Sequence, residues 1–154
     1  MKQYLLFIVF FISCSIKTEK KEIIRILEEK LTTKNEIVYY NEEAFNGISY
    51  KLWKNGKLLS ERSFKNGMPD GISRGWFDNG QMMYEGKNLN GKENGKWKHW
   101  YVDGKQNMEA NFVNGTLNGS LKRWFENGFL AYERIYDNGE MIEEKIPSHT
   151  KKSE

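Results

Sequence analysis

The chain is poor in the residues that most chemistry needs. Cys14 is its one cysteine, so no internal disulfide can form. The two histidines, His99 and His149, lie in different segments, and no His/Cys cluster is spaced to hold a metal. No Ser/His/Asp set stands out, and no glycine-rich loop has the spacing that cradles a phosphate. The charges balance: 24 basic against 21 acidic side chains leave a formal +3, without the basic excess of a nucleic-acid binder. Apolar residues make up 38%, low for a closed core, whereas aromatics reach 14%. That pairing suits a thin sheet covered by Trp, Tyr and Phe, and 154 residues allow one domain. The expectation is a chain without cofactor, metal or catalytic site.

The longest apolar run, Tyr4 to Ile12, is too short to anchor stably across a bilayer. With Lys2 before it and Ser13-Cys14 after it, it reads as a signal peptide over 1–13. The small residue before Cys14 resembles a bacterial lipobox, with Phe11 in place of the usual Leu. That resemblance implies that Cys14 is lipidated and opens an exported chain anchored to a bacterial membrane on its periplasmic or outer side. Residues 14–35 read as a tether and a short helix. Ile23, Ile24, Leu27 and Leu31 fall at helical spacing, predicting an amphipathic helix at 19–33 that covers the first edge of the fold.

From Gly47 the chain repeats every 24 residues without insertion. Gly47, Gly71, Gly95 and Gly119 open four units, and Gly56, Gly80, Gly104 and Gly128 follow at a constant offset. Glu61, Glu85, Glu109 and Glu133 come next, then Gly67, Gly91, Gly115 and Gly139. A fixed period of this length marks an array whose single units cannot bury a core alone. Twelve of the fourteen glycines follow Asn or Asp; Gly75 and Gly86 do not. Asn-Gly and Asp-Gly favour two-residue type I′ hairpin turns. Each unit is therefore a β-hairpin turning at Asn55-Gly56, Asn79-Gly80, Asp103-Gly104 or Asn127-Gly128, with looser joints between hairpins. The fold class is all-β: one elongated, twisted antiparallel meander over 36–142. Glu36–Tyr40 would be half of a degenerate capping unit, and 143–154 a disordered tail.

A two-residue turn fixes which residues face one another. On one face Trp53, Phe77, Tyr101 and Phe125 meet Leu58, Met82, Gln106 and Leu130. On the other, Leu52, Trp76, Trp100 and Trp124 meet Leu59, Met83, Asn107 and Ala131. Beside that Trp row, Tyr50, Arg74, Lys98 and Lys122 oppose Glu61, Glu85, Glu109 and Glu133. Cross-strand pairing accounts for the repeated Glu without catalysis. Copies about 10 Å apart in equivalent surroundings do not make the closer, unlike carboxyl pair of a glycosidase. Trp76, Trp100 and Trp124, edged by Arg74, Lys98 and Lys122, form a candidate binding face. Its ladder suits a partner protein's apolar groups or the sugars of a cell-wall glycan.

The unit G-x4-[WL]-[WFY]-x-[ND]-G-x4-E-x5-G-x3-G resembles the bacterial variant of the MORN repeat, including YwqK-type antitoxins, over Gly47 to about Met141. The resemblance implies tandem hairpins in an extended sheet that serves as a scaffold for protein or membrane contact. The departures are Leu52 for Trp, Asn88 for the aromatic of the second strand, and Glu143 for the closing Gly. An antitoxin acts in the cytoplasm, whereas the first 35 residues point to export. The expected partner is thus an envelope protein, with wall glycan as the alternative, an immunity role as a weaker one, and no nucleic acid.

Overall fold

The computed structural model describes residues 23–148. The signal segment, Cys14 and its tether, and residues 149–154 lie outside the described residues. Four short strands come first: β1 (Arg25–Leu27), β2 (Thr32–Lys34), β3 (Ile37–Tyr40) and β4 (Glu43–Ala44). The repeats then supply β5 (Gly47–Leu52), β6 (Leu58–Lys65), β7 (Met68–Trp76), β8 (Met82–Leu89) and β9 (Lys92–Glu93). They continue with β10 (Gly95–Trp100), β11 (Gln106–Val113), β12 (Thr116–Trp124), β13 (Leu130–Asp137) and β14 (Glu140–Lys145). The main sheet runs β1-β5-β6-β7-β8-β10-β11-β12-β13-β14, with β9 attached to β8, and β2-β3-β4 form a separate sheet.

The amphipathic helix does not form over its described part. Residues 25–34 hold β1, one 3-10 turn at Glu28–Lys30, and β2. The open edge of β5 decides this. Its backbone groups need partners, and β1 supplies them by pairing in parallel, Arg25 with Ile48 through Leu27 with Tyr50. The Ile48 amide also donates to the Ile24 carbonyl at 2.9 Å. Ile23 and Ile24 stay 69% and 51% exposed, so the apolar stripe that suggested a helix is not what gets buried. The sheet is therefore mixed rather than wholly antiparallel. Within Glu36–Tyr40, β3 pairs in the small sheet and not in the main one, while Val38 N donates to Gly67 O at the first joint. At the far end β14 reaches Lys145 and pairs Glu133 with Lys145, so the ordered array passes the boundary expected at 142.

The Asn-Gly dipeptides do two different jobs, and the type I′ turns are at the joints. Asn66, Asn90, Asn114 and Asn138 have φ near +50°, each followed by a positive-φ glycine. At the hairpin tips only the glycine is left-handed. There Gly56 N donates to Trp53 O, and Trp53 N donates to Lys57 O, giving a three-residue loop with a glycine bulge. Asn55 uses its side chain instead, its Oδ1 accepting from Lys57 N at 3.0 Å; Asn79, Asp103 and Asn127 repeat this. The extra residue shifts the register by one beside each tip. Leu52 pairs Leu58, Trp76 pairs Met82, Trp100 pairs Gln106 and Trp124 pairs Leu130. The expected partners Leu59, Met83, Asn107 and Ala131 become the extra residues of the bulges.

Hydrogen bonds from unit to unit hold both rims. On the joint side, Gly67, Gly91, Gly115 and Gly139 amides donate to the carbonyls of Phe45, Pro69, Glu93 and Leu117. On the hairpin side, Lys57 Nζ reaches Asp78 O at 3.0 Å and Lys105 Nζ reaches Glu126 O at 2.9 Å. Trp53 Nε1 donates to Trp76 O and Tyr101 Oη to Trp124 O, at 3.0 and 2.7 Å. The period thus propagates through contacts that each unit makes only with its neighbour. Phe45, Phe64, Trp97, Ala110 and Ala131 are the buried hydrophobic residues among those described, as expected of a sheet without a second layer.

Candidate binding faces of the sheet

Away from the hairpin tips the expected pairing holds. Tyr50–Glu61, Arg74–Glu85, Lys98–Glu109 and Lys122–Glu133 face one another. The joints extend this pattern, because Glu61 also faces Arg74, Glu85 faces Lys98, Glu109 faces Lys122 and Glu133 faces Lys145. One row of alternating acid and base therefore crosses eight strands from Glu61 to Lys145. Counting pairs within hairpins gave only half of it.

Every Glu of the row has a cation. Arg74 Nε meets Glu85 at 2.7 Å and Lys122 Nζ meets Glu133 at 3.4 Å. Glu109 takes Lys96 at 2.8 Å, while Lys98 acts on it at longer range. Glu61 pairs with Arg25, whose guanidinium lies 5.7 Å from the Tyr50 ring centre. The edge strand thereby supplies the cation that the first unit lacks at Tyr50. Trp76, Trp100 and Trp124 are half-buried on this face, next to Arg74, Lys98 and Lys122. Two of those three cations are thus engaged with Glu, and the rings carry most of what the row offers a partner.

The opposite face holds a feature that the repeat frame does not announce. Tyr84 pairs with Gly75, and the Tyr84 ring fills the space where a Gly75 Cβ would stand. The Trp97 ring does the same over Gly86. The two rings lie 6.3 Å apart and within 23° of parallel, and His99 sits 5.9 Å from Tyr84. Trp97 Nε1 donates to Lys87 O at 3.1 Å, and Asn88 Nδ2 donates to Ser73 Oγ at 2.7 Å. A cleft of about 330 Å³ opens here, lined also by Arg62 and Glu93. The ladder beside it is broken in two, β8 sharing Glu85–Lys98 and Tyr84–His99 with β10 and Asn88–Glu93 and Leu89–Lys92 with β9. Gly75 and Gly86, the two glycines outside the turn pattern, were the signal that could have found it.

Burial raises the Glu93 carboxyl above the ordinary glutamate value, and burial with the Arg123 charge lowers His99. Glu109 is lowered: burial works against its charge, but Lys96 and Lys98 outweigh it. The two carboxyls therefore have opposite effects on folding. Glu109 stabilises the fold above about pH 4.3 and loses that contribution as pH falls through its depressed value. Glu93 costs stability as pH rises from the ordinary value through its raised one. Glu109→Gln is expected to destabilise at neutral pH by about 0.5 kcal/mol, typical of a partly exposed pair, and Glu93→Gln to stabilise. Both differences should vanish in urea melts at low pH. Equal signs at neutral pH would contradict the assignment. Among the described residues no three His, Cys, Asp or Glu side chains gather to hold a metal ion.

The frame, the rims and the open faces define a β-hairpin repeat protein with a single-layer array. The family model described as MORN repeat variant matches residues 45–66 and 69–88. The match supports MORN-variant repeats in the first two units, and those opening at Gly95 and Gly119 keep the same frame. No curated protein matches the chain. MORN repeats indicate a repeat scaffold.

Proposed function

We propose that this protein is a non-enzymatic scaffold of the bacterial envelope. It is exported, held at the membrane by a lipid on Cys14, and grips an envelope protein through the face that carries Trp76, Trp100 and Trp124. The observation behind this reading is that no second layer covers that face. Its three indoles remain partly exposed, and its charge row is already neutralised strand by strand. Apolar contact with a partner is what such a surface has left to give, and Arg74, Lys98 and Lys122 would orient it.

The test is a pull-down from envelope extract with the full chain in mild detergent. It runs beside the triple variant Trp76→Ala, Trp100→Ala, Trp124→Ala, with circular dichroism confirming that both fold. A specific protein retained by the wild type and lost by the variant supports the scaffold. Wall polymer retained and lost in the same way means that the face reads glycan. A toxic protein of the cytoplasm would revive the immunity role. Identical behaviour of the two baits would remove the Trp face from the account.

A further inference from the structure

The cleft on the opposite face lies where the repeat pattern breaks in several places at once. Asn88 stands where the other units have Phe64, Phe112 and Tyr136. Trp97 stands where they have Ser49, Ser73 and Leu121. Gly86 replaces Arg62, Ala110 or Arg134, and Gly75 replaces Lys51, His99 or Arg123. A bare scaffold would gain nothing by concentrating these changes. Here they act together: two missing side chains seat two rings, and a missing aromatic at Asn88 leaves an opening beside them. Trp97 and Asn88 are held by hydrogen bonds within the sheet, so the lining is set before any ligand arrives.

The lining has a definite chemistry. Arg62 forms no ion pair among the described residues. Glu93 also lines the cleft, its carboxyl raised by burial, and His99 is kept toward its neutral form by burial and the Arg123 charge. The lining thus carries one cation and one carboxyl rather than a cluster of one sign, which suits a ligand without formal charge. It offers a five-donor guanidinium, a carboxyl acceptor, and amide, hydroxyl and imidazole groups, beside two aromatic rings. Hydroxyls that donate and accept at once, on a ring with apolar C–H faces, match that set. The volume of about 330 Å³ is at the lower end of small-ligand sites, enough for a ring or two. A second cleft of about 370 Å³, lined by Glu28, Leu31, Glu36, Val38 and Phe64, shares Arg62 and Pro69 with the first. A chain of sugars could continue into it.

We propose that the cleft between Arg62, Tyr84, Glu93, Trp97 and His99 binds a neutral pyranose unit of a glycan. The site is on the face opposite the Trp row and does not depend on the partner reading above. The test uses the full chain in detergent, titrated with chitobiose, cellobiose and maltose. Tryptophan fluorescence and calorimetry follow binding, and galacturonate serves as the charged control. The expected result is saturable binding of at least one neutral sugar, with a dissociation constant of about 1 mM or below. Arg62→Ala and Glu93→Ala should each weaken it about tenfold, because each removes a polar partner from the lining and leaves the seated rings in place. Ile142→Ala, exposed on β14 at the far end of the array, should leave it unchanged. Three results would overturn the proposal: no saturable binding of any neutral sugar, galacturonate binding as well or better, or unchanged binding in both the Arg62→Ala and Glu93→Ala variants.

Discussion

Gly86→Ala is expected to destabilise the protein by about 3 kcal/mol, a large effect for one methyl group. The added Cβ would overlap the six-membered ring of Trp97, which lies flat over the glycine. That ring cannot step aside cheaply, because it is 8% exposed, packs beside Tyr84 and donates its Nε1 proton to Lys87 O. Backbone strain is not the cause: Gly86 is not left-handed, and Ala110 occupies the same place one unit later, fully buried. In that unit the pairing partner is Leu121, the counterpart of Trp97. The double variant Gly86→Ala/Trp97→Leu recreates the Ala110–Leu121 pair. It should recover at least half of the loss, a coupling of about 2 kcal/mol in a double-mutant cycle. Denaturant melts of the four proteins measure it. Additive losses would mean that Gly86 matters for some reason other than the Trp97 ring.

That pair marks how far the sequence could be read. The period, the hairpins and the opposition of Arg74, Lys98 and Lys122 to their Glu partners were legible, because each follows from spacing inside one unit. The turn chemistry was only half legible. Asn55-Gly56 and Asn66-Gly67 are the same dipeptide. One Asn closes a three-residue loop with its side chain, and the other takes a φ of 51°. Both uses suit Asn-Gly. The choice rests on neighbouring turns: Asn66 N donates to Asn46 Oδ1, whereas Asn55 Nδ2 reaches Asp78 O. Placing the two-residue turn at the wrong dipeptide shifted the tip partners of the Trp row by one residue. It left the Glu row intact, because the bulge lies between the two rows.

The remaining differences are matters of tertiary demand. Ile23, Ile24, Leu27 and Leu31 satisfy a helical period, yet the unpaired edge of β5 claims the segment as a parallel strand. Arg25 then completes the charge row at Glu61. Propensity and periodicity are weak against an open row of backbone donors and acceptors. The cleft is another case. Gly75 and Gly86 stand out in the sequence, but what fills the space above them depends on register across β7, β8 and β10. An aromatic removed at residue 88 and one added at residue 97 look unrelated until those strands are side by side.

Gly67→Ala should separate the small N-terminal sheet from the array, at a cost of about 2–4 kcal/mol. Gly67 is the point where they join: its carbonyl accepts from Val38 N at 2.9 Å, and its amide donates to Phe45 O at 2.8 Å. Phe45, 3% exposed, packs there against Phe64 with ring centres 5.6 Å apart. A Cβ at Gly67 would press on the Ile37 side chain and stand 2.6 Å from Val38 O, in a backbone at φ +75°. Conformation alone costs an L-residue about 1–2 kcal/mol, and the contact with a backbone oxygen is not relieved by any rotamer. Gly91→Ala separates the two contributions. It is the same joint one unit later, at φ +84°, with nothing within 4 Å of the added carbon. It should cost only the conformational part. Hydrogen exchange should then show amides at 37–45 losing protection in the Gly67 variant, while β11 to β13 stay protected, since each unit is held by its own neighbours. If the two variants lost equal stability and exchanged alike, the small sheet would be held by something other than the Gly67 joint.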